Sequence, residues 1–342
     1  MKAAVLHGRE DVRVENIEPS ALQPGQVRVK IEAALTCGTD LKVFKRGYHA
    51  RMIVPPAVFG HEFAGSIGEI GEGVSGWKTG ERVVVANSAP CGSCARCKDG
   101  QENLCDDLLF LNGAYAESIV VPARLVQKNM LRLAPATRFA DAALTEPLAC
   151  VVQGWEEVGA LKGQNVLVIG TGPIGLMFAV LARHSGCQVA LAGRGPRLKT
   201  ARKLGADKLI DVGASGDLVA AAAREGSQNF DVVIEAVGKP EAWQAATRLV
   251  RKGGKVNFFG GCPAGAAVSL DTNLLHYSNL TLYSSFHHTP KTIRRALELI
   301  ETNVVRASDF VDGEAFLDDL PGLFQSMTAG NRAVKTLIRV RA

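Results

Sequence analysis

No apolar run in the 342-residue sequence reaches the roughly 20 residues that a bilayer-spanning helix needs, because Gly, Arg or Lys interrupts each one. The opening residues, Met1 to His7 followed by polar positions, have no charged head leading into an apolar core. A secretory leader is therefore not expected, and neither is a membrane; the expected compartment is the cytoplasm. There is no dense basic block. The 39 basic and 34 acidic residues leave a net charge of +5 spread along the chain, which argues against nucleic acid as a partner. No internal repeat or low-complexity tract is visible, so a repeat array is not expected. Cysteines do occur, eight of them, but four crowd between Cys91 and Cys105 at ligand spacing. Reduced thiols in a reducing compartment fit that pattern better than disulfides.

What is present is a glycine-rich globular composition, 47% hydrophobic with 36 glycines, in a chain long enough for two domains. Residues 1–145 read mainly as strands and loops. Val27 to Ile31 alternates apolar and polar side chains, and Phe63 to Ile70 and Arg82 to Ala86 do much the same between glycine turns. This is the pattern of a small β-barrel. Near residue 148 the character changes. Short buried runs at Asn165–Ile169, Gln188–Ala192, Asp231–Ile234, Lys255–Phe259 and Leu280–Tyr283 alternate with helical stretches, Ile174–His184 and Arg197–Leu204 among them. Strands alternating with helices imply a doubly wound parallel sheet. A helix over Ile293–Ile300 and a strand over Ala333–Val340 close the chain.

Gly170-Thr171-Gly172-Pro173-Ile174-Gly175 directly follows a predicted strand and opens a predicted helix. In that context G-x-G-x-x-G is a dinucleotide loop: one glycine for the turn, one for backbone approach to a pyrophosphate, one for helix–strand packing. Pro173 and Ile174 begin the helix whose N–H groups meet the phosphates. An acid at the end of the next strand would bind the ribose hydroxyls of NAD. Here the segment reads Ala192-Gly193-Arg194-Gly195-Pro196-Arg197, with two arginines and no acid. Arg194 and Arg197 therefore point to a 2′-phosphate, and to NADP in preference to NAD. The alternative is Arg194 stacked on adenine and Arg197 solvated.

Cys91, Cys94, Cys97 and Cys105 suit a closed, structural, four-thiolate zinc site, with an iron–sulfur cluster as the competing reading. A second, dispersed set consists of Cys37, His61, Glu62 and Glu146. A thiol, an imidazole and one or two carboxylates make a mixed site with room for water or substrate, as catalytic zinc requires.

Cys37-Gly38-Thr39-Asp40, Gly60-His61-Glu62, the four-cysteine lobe, Glu146-Pro147-Leu148-Ala149 and the loop Gly170–Gly175 together resemble the zinc-containing medium-chain dehydrogenases. The branch is that of sorbitol, threonine and related polyol dehydrogenases, and the match spans nearly the whole chain. The resemblance implies an α/β two-domain fold: a GroES-like β-barrel catalytic domain over 1–147, a Rossmann domain over 148–287, and a segment 288–342 returning to the catalytic domain. It implies two zinc ions per chain, with catalytic zinc on Cys37, His61 and a carboxylate, Glu62 or Glu146. It implies a homodimer or homotetramer, and a Thr39 hydroxyl that relays the substrate proton; a cap on the following helix is the other reading of Thr39. Leu41-Lys42-Val43-Phe44 departs from the branch, where His and an aromatic are frequent. Lys42 could meet an anionic group or be a solvated helical lysine, and His49 is a possible second relay member. Asn112-Gly113-Ala114-Tyr115 replaces a frequent Asp-Gly-Gly-Phe, with Tyr115 read as packing.

The activity implied is hydride transfer between a secondary alcohol, polyol or sugar and the nicotinamide, with the metal acting as a Lewis acid on the alcohol oxygen. The rival expectations are a zinc-independent enone or quinone reductase and a non-enzymatic NADP-binding protein.

Overall fold

Val27, Val29 and Ile31 alternate with Arg28 and Lys30, and the strand Val27–Leu35 keeps that period: the three aliphatics are fully buried while Lys30 faces solvent. Beyond Ile31 the alternation stops. Ala33, Ala34 and Leu35 are all buried where the strand runs inward. A computed structural model describes this chain at residues 1–49, 52–213, 216–330 and 333–340. Two units result, Met1–Ala149 with His288–Ala342, and Cys150–His287.

In the first unit Val27–Leu35 is the hub of a seven-stranded sheet. It pairs antiparallel with Glu62–Ile70, Ser118–Val121 and Lys335–Arg339. Its register sets Leu35 opposite both Glu62 and Leu337. The residues just past that point, Cys37, His61 and Lys335, therefore emerge at the same end of three neighbouring strands. The close approach depends on Gly65, where an added Cβ would fall 1.9 Å from the Lys30 carbonyl oxygen. Beneath lies a core that includes Phe44, Phe59, Tyr115 and Phe324, with Phe59 and Phe324 centroids 5.2 Å apart. This half also contains the helix expected after Thr39, Gly38–Arg46, and one that the alternating pattern hid, Ala123–Lys128. Lys2–Gly8 and Asp11–Asn16 form an antiparallel pair, although their sequence shows only an apolar start followed by polar residues.

The second unit is a six-stranded, all-parallel sheet. Its order is Lys208–Asp211, Gln188–Gly193, Asn165–Ile169, Phe230–Glu235, Val250–Phe258, Thr281–Tyr283. The chain runs outward from Asn165–Ile169 in one direction and then in the other, the doubly wound order that puts a crevice at the carboxyl ends of the central strands. Val166 to Ile169 is buried without a break, as a strand covered on both faces must be. The division between the units falls between Ala149 and Cys150, inside the helix Thr145–Val158. Among the described residues no helix is long and apolar enough to cross a membrane.

Candidate functional site

Cys37 caps the helix Gly38–Arg46, its thiol accepting the Thr39 N–H at 3.4 Å. A sulfur at a helix N-terminus is held where negative charge is favoured. Thr39 is therefore not the cap; it stands half-buried in the first turn of the helix. One residue on, Asp40 is fully buried and its Oδ1 is 2.9 Å from His61 Nδ1. That bond fixes the ring and leaves Nε2 on the side of Cys37, with which the imidazole also bonds. Burial alone would push the imidazole down, but the Asp40 carboxylate and the Cys37 sulfur outweigh it and hold His61 well above its ordinary value.

Glu62 follows, opening the strand Glu62–Ile70, and is fully buried. Its Oε2 accepts from Nζ of Lys335, itself 1% exposed, and Lys335 also donates to the Thr36 carbonyl at 3.1 Å. Glu62 Oε1 is buried with no partner among the described residues. Cys37, His61 and Glu62 bring one ligand atom each to within 4.8 Å of one another. This donor set fits zinc: a soft sulfur, an imidazole nitrogen and a buried carboxylate oxygen lacking a donor, with a fourth position open. Glu146, in the first turn of Thr145–Val158, stands outside that trio. Burial pushes its carboxyl up to about 7, and its Oε1 is 4.0 Å from Nε2 of the buried His288, which lies 2.9 Å from Asn87 Oδ1.

The four lobe cysteines also converge, with ligand atoms within 4.8 Å of one another and no disulfide. Cys91 Sγ and Cys97 Sγ are 4.0 Å apart, and Cys94 Sγ and Cys105 Sγ 3.9 Å. Four sulfurs about 2.3 Å from a tetrahedral ion would be about 3.8 Å apart, so the spacing fits a single zinc. The Ser93 and Cys94 N–H groups donate to Cys91 Sγ at 3.4 and 3.3 Å. The Ser93 hydroxyl and these N–H groups lower the Cys91 thiol to about 5, whereas burial raises Cys97 to about 12. A bound cation would favour the thiolate form of Cys97, against the burial that raises it.

In the other unit the three loop glycines have separate reasons. Gly170 has φ +119°, and a Cβ there would lie 3.0 Å from Val237 Cγ2. At Gly172, the N-cap of Pro173–His184, a Cβ would meet nothing, and no side chain caps the helix. The first-turn N–H groups are left for a ligand. At Gly175 a Cβ would fall 1.9 Å from the Gly170 carbonyl oxygen, so only glycine permits the packing. Arg194 is exposed just past Gln188–Gly193, and Arg197 opens the next helix half-buried. The nearest acid across the strands, Asp211 opposite Gly193, accepts the Gly213 N–H at 2.9 Å.

Lys42 is exposed on its helix, as a solvated lysine would be, and His49 lies in a short bridge with Ile53. Sequence reading missed Asp40, Lys335 and His288, whose partners lie far along the chain. It also missed Glu235, a buried carboxylate that accepts the Val237 and Gly238 N–H groups at 2.7 and 2.9 Å. The one local signal for Glu235 is an acid ending the Val-Val-Ile run ahead of a glycine turn. Tyr115 does more than pack: its hydroxyl donates to Asp40 Oδ2 at 2.6 Å.

Residues 23–130 match the family model described as the alcohol dehydrogenase GroES-like domain, and residues 173–302 that of zinc-binding dehydrogenases. Sorbitol dehydrogenase of Bacillus subtilis is 29% identical over 98% of this chain and 94% of its own. L-threonine 3-dehydrogenase of Pyrococcus furiosus is 32% identical over 89% of this chain and 88% of its own. A structure described as a zinc-binding dehydrogenase of Sinorhizobium meliloti, bound to NADP, superposes with a TM-score of 0.89 at 30% identity, covering 99% of this chain and 98% of that one.

Proposed function

This chain belongs to the zinc-containing medium-chain alcohol and polyol dehydrogenase family, and from that premise we propose which residues carry its chemistry. It is an oxidoreductase that uses zinc and a nicotinamide cofactor on a small alcohol. In our reading Cys37, His61 and Glu62 hold the catalytic ion, and the four lobe cysteines hold a second, structural one. The observation that carries this is the buried, unpartnered Glu62 Oε1 beside the Cys37 sulfur and the His61 ring. Glu62 is preferred to Glu146 as the carboxylate ligand because it belongs to the converging trio. A zinc ion held there supplies Lewis acidity to the alcohol oxygen.

The protein's own groups do the rest. Asp40 orients His61, and Lys335 compensates the charge of Glu62. The hydroxyl of Thr39, a half-buried residue in the first turn of Gly38–Arg46, passes the alcohol proton towards solvent. The open N-terminus at Gly172 would hold the pyrophosphate of a nicotinamide cofactor, and that cofactor would supply the hydride acceptor. A homodimer or homotetramer, a cytoplasmic location and a secondary alcohol or polyol as substrate complete the proposal.

Metal analysis tests it. Purified protein should carry two zinc ions per chain; a single ion confined to the lobe would favour a zinc-independent reductase. The lobe has its own test. Cys94→Ser should lose the lobe zinc and lower the melting temperature, while turnover per folded molecule stays near wild type, because that site has no position for substrate. A Cys94→Ser protein that keeps both ions and its melting temperature would remove the structural assignment.

The cofactor preference rests on Arg194, exposed at the strand end that lacks an acid. Charge-assisted hydrogen bonds to a 2′-phosphate contribute roughly 1.5–3 kcal/mol, so Arg194→Ala should weaken NADP about ten- to a hundredfold. NAD affinity should hardly change, and the NADP loss should shrink at higher salt. Fluorescence titrations of both cofactors check this; equal losses would place the guanidinium on adenine instead.

A further inference from the structure

The buried ring of Tyr115 is fixed more tightly than a packing residue requires. Its backbone N–H donates to the Phe59 carbonyl at 3.0 Å, and Gly113 and Ala114 donate to the Gly60 carbonyl at 2.9 and 3.0 Å. The ring meets Phe59 edge-on with centroids 5.0 Å apart. It also covers Gly60, at φ +91°, so closely that a Cβ there would fall 2.7 Å from ring carbon Cδ2. Phe59 and Gly60 are the two residues before His61, so Tyr115 clamps the backbone that delivers the imidazole.

The hydroxyl reaches the same imidazole from the other side. It donates to Asp40 Oδ2 at 2.6 Å, with the Leu35 carbonyl a longer second acceptor at 3.1 Å, while Asp40 Oδ1 faces His61 Nδ1 at 2.9 Å. Tyr115, Asp40 and His61 are all less than 5% exposed, so no water competes for these atoms. A carboxylate with one oxygen held can still rotate about its last bond; held at both, it cannot. From this geometry we infer that Tyr115 is a positioning residue for the catalytic metal. Through Asp40 its hydroxyl locks the His61 ring with Nδ1 turned inward and Nε2 presented beside Cys37 and Glu62. The inference rests on the assignment of Cys37, His61 and Glu62 as ligands and extends it one hydrogen bond outward.

Tyr115→Phe keeps the ring and its contact with Gly60 and removes only the donor. Groups that orient a ligating histidine typically change metal affinity 10–100-fold. Chelator competition on the full-length protein should show the catalytic zinc held at least about tenfold more weakly, with the lobe zinc unaffected. Cobalt substituted at the catalytic site should show a shifted visible absorption band. Asp40→Asn guards against a folding artefact: if Tyr115 acts through Asp40, adding Tyr115→Phe to Asp40→Asn should weaken zinc little further. Equal zinc affinity and an unchanged cobalt band, with only a lower melting temperature, would reduce Tyr115 to a structural residue and overturn the inference. So would full additivity in the double variant. A wild type that takes up no second metal ion overturns the underlying ligand assignment instead, and this inference falls with it.

Discussion

His61→Ala should lower alcohol-dependent turnover by at least about a thousandfold, since Lewis-acid polarisation contributes several kcal/mol and each 1.36 kcal/mol is tenfold in rate. The imidazole is the one nitrogen donor in the trio, and Asp40 aims it. One of the two expected zinc ions should disappear with it. Cys37→Ala should behave the same way, and there the helix Gly38–Arg46 also loses its N-cap. Cofactor affinity should stay within about a factor of three of wild type by calorimetry, a difference under 1 kcal/mol. The glycine loop Gly170–Gly175 belongs to the other unit, with its own core of Leu167, Ile169, Val233 and Val256. Retained turnover in either variant would remove the metal from the mechanism.

In the zinc-free protein, Lys335→Met should strongly destabilise the first unit. The lysine is 1% exposed and the glutamate it bonds is fully buried, so the substitution strands a carboxylate in the core. Breaking one side of a buried ion pair costs about 3–5 kcal/mol. In a chain of 342 residues that corresponds to roughly 4–7 °C in melting temperature. The loss should depend on pH. Burial already holds the Glu62 carboxyl above its ordinary 4.5, and Lys335 opposes that rise, so removing the lysine lifts it further. The folded state of the variant then binds a proton more tightly than the unfolded chain does, so its stability falls as pH rises above about 4.5. The deficit should be small near that pH and largest in mild alkali. Glu62→Gln combined with Lys335→Met should recover most of the stability, since two neutral partners leave no buried charge. Thermal melts across pH check both statements; a deficit that does not change with pH would mean the pair acts only by packing.

The parts of this site legible in the sequence were those whose chemistry is local. Cys91, Cys94, Cys97 and Cys105 announce a metal because a two-residue gap and a turn suffice to aim their sulfurs. The loop glycines are readable from their spacing after a strand, and Gly175 answers a constraint set within a few residues, the Gly170 carbonyl oxygen. Cys37 and His61–Glu62 were recognisable as candidates, but what joins them is the register of Val27–Leu35 with Glu62–Ile70, which no periodicity reveals. Lys335 is the clearest loss. It lies 273 positions from Glu62, and in sequence it looks like any lysine near the end of an edge segment. Only the pairing of Lys335–Arg339 with Val27–Leu35 brings it inside. Tyr115 was legible as a packing aromatic and not as a donor, because its acceptor, Asp40, lies 75 positions away in the chain. The preference proposed for Glu62 over Glu146 likewise rests on the fold: both are buried acids beside apolar residues, and Glu62 is the one grouped with Cys37 and His61.

The most direct test of the central claim is nicotinamide reduction by a panel of secondary alcohols, polyols, sugars and amino alcohols. It should be followed spectrophotometrically before and after chelation that leaves the lobe zinc in place. The account predicts that at least one alcohol drives reduction, that the rate vanishes as the second zinc leaves, and that adding zinc back restores it. An undiminished rate after that zinc is gone, or a protein that oxidises no alcohol yet reduces an enone, would contradict it.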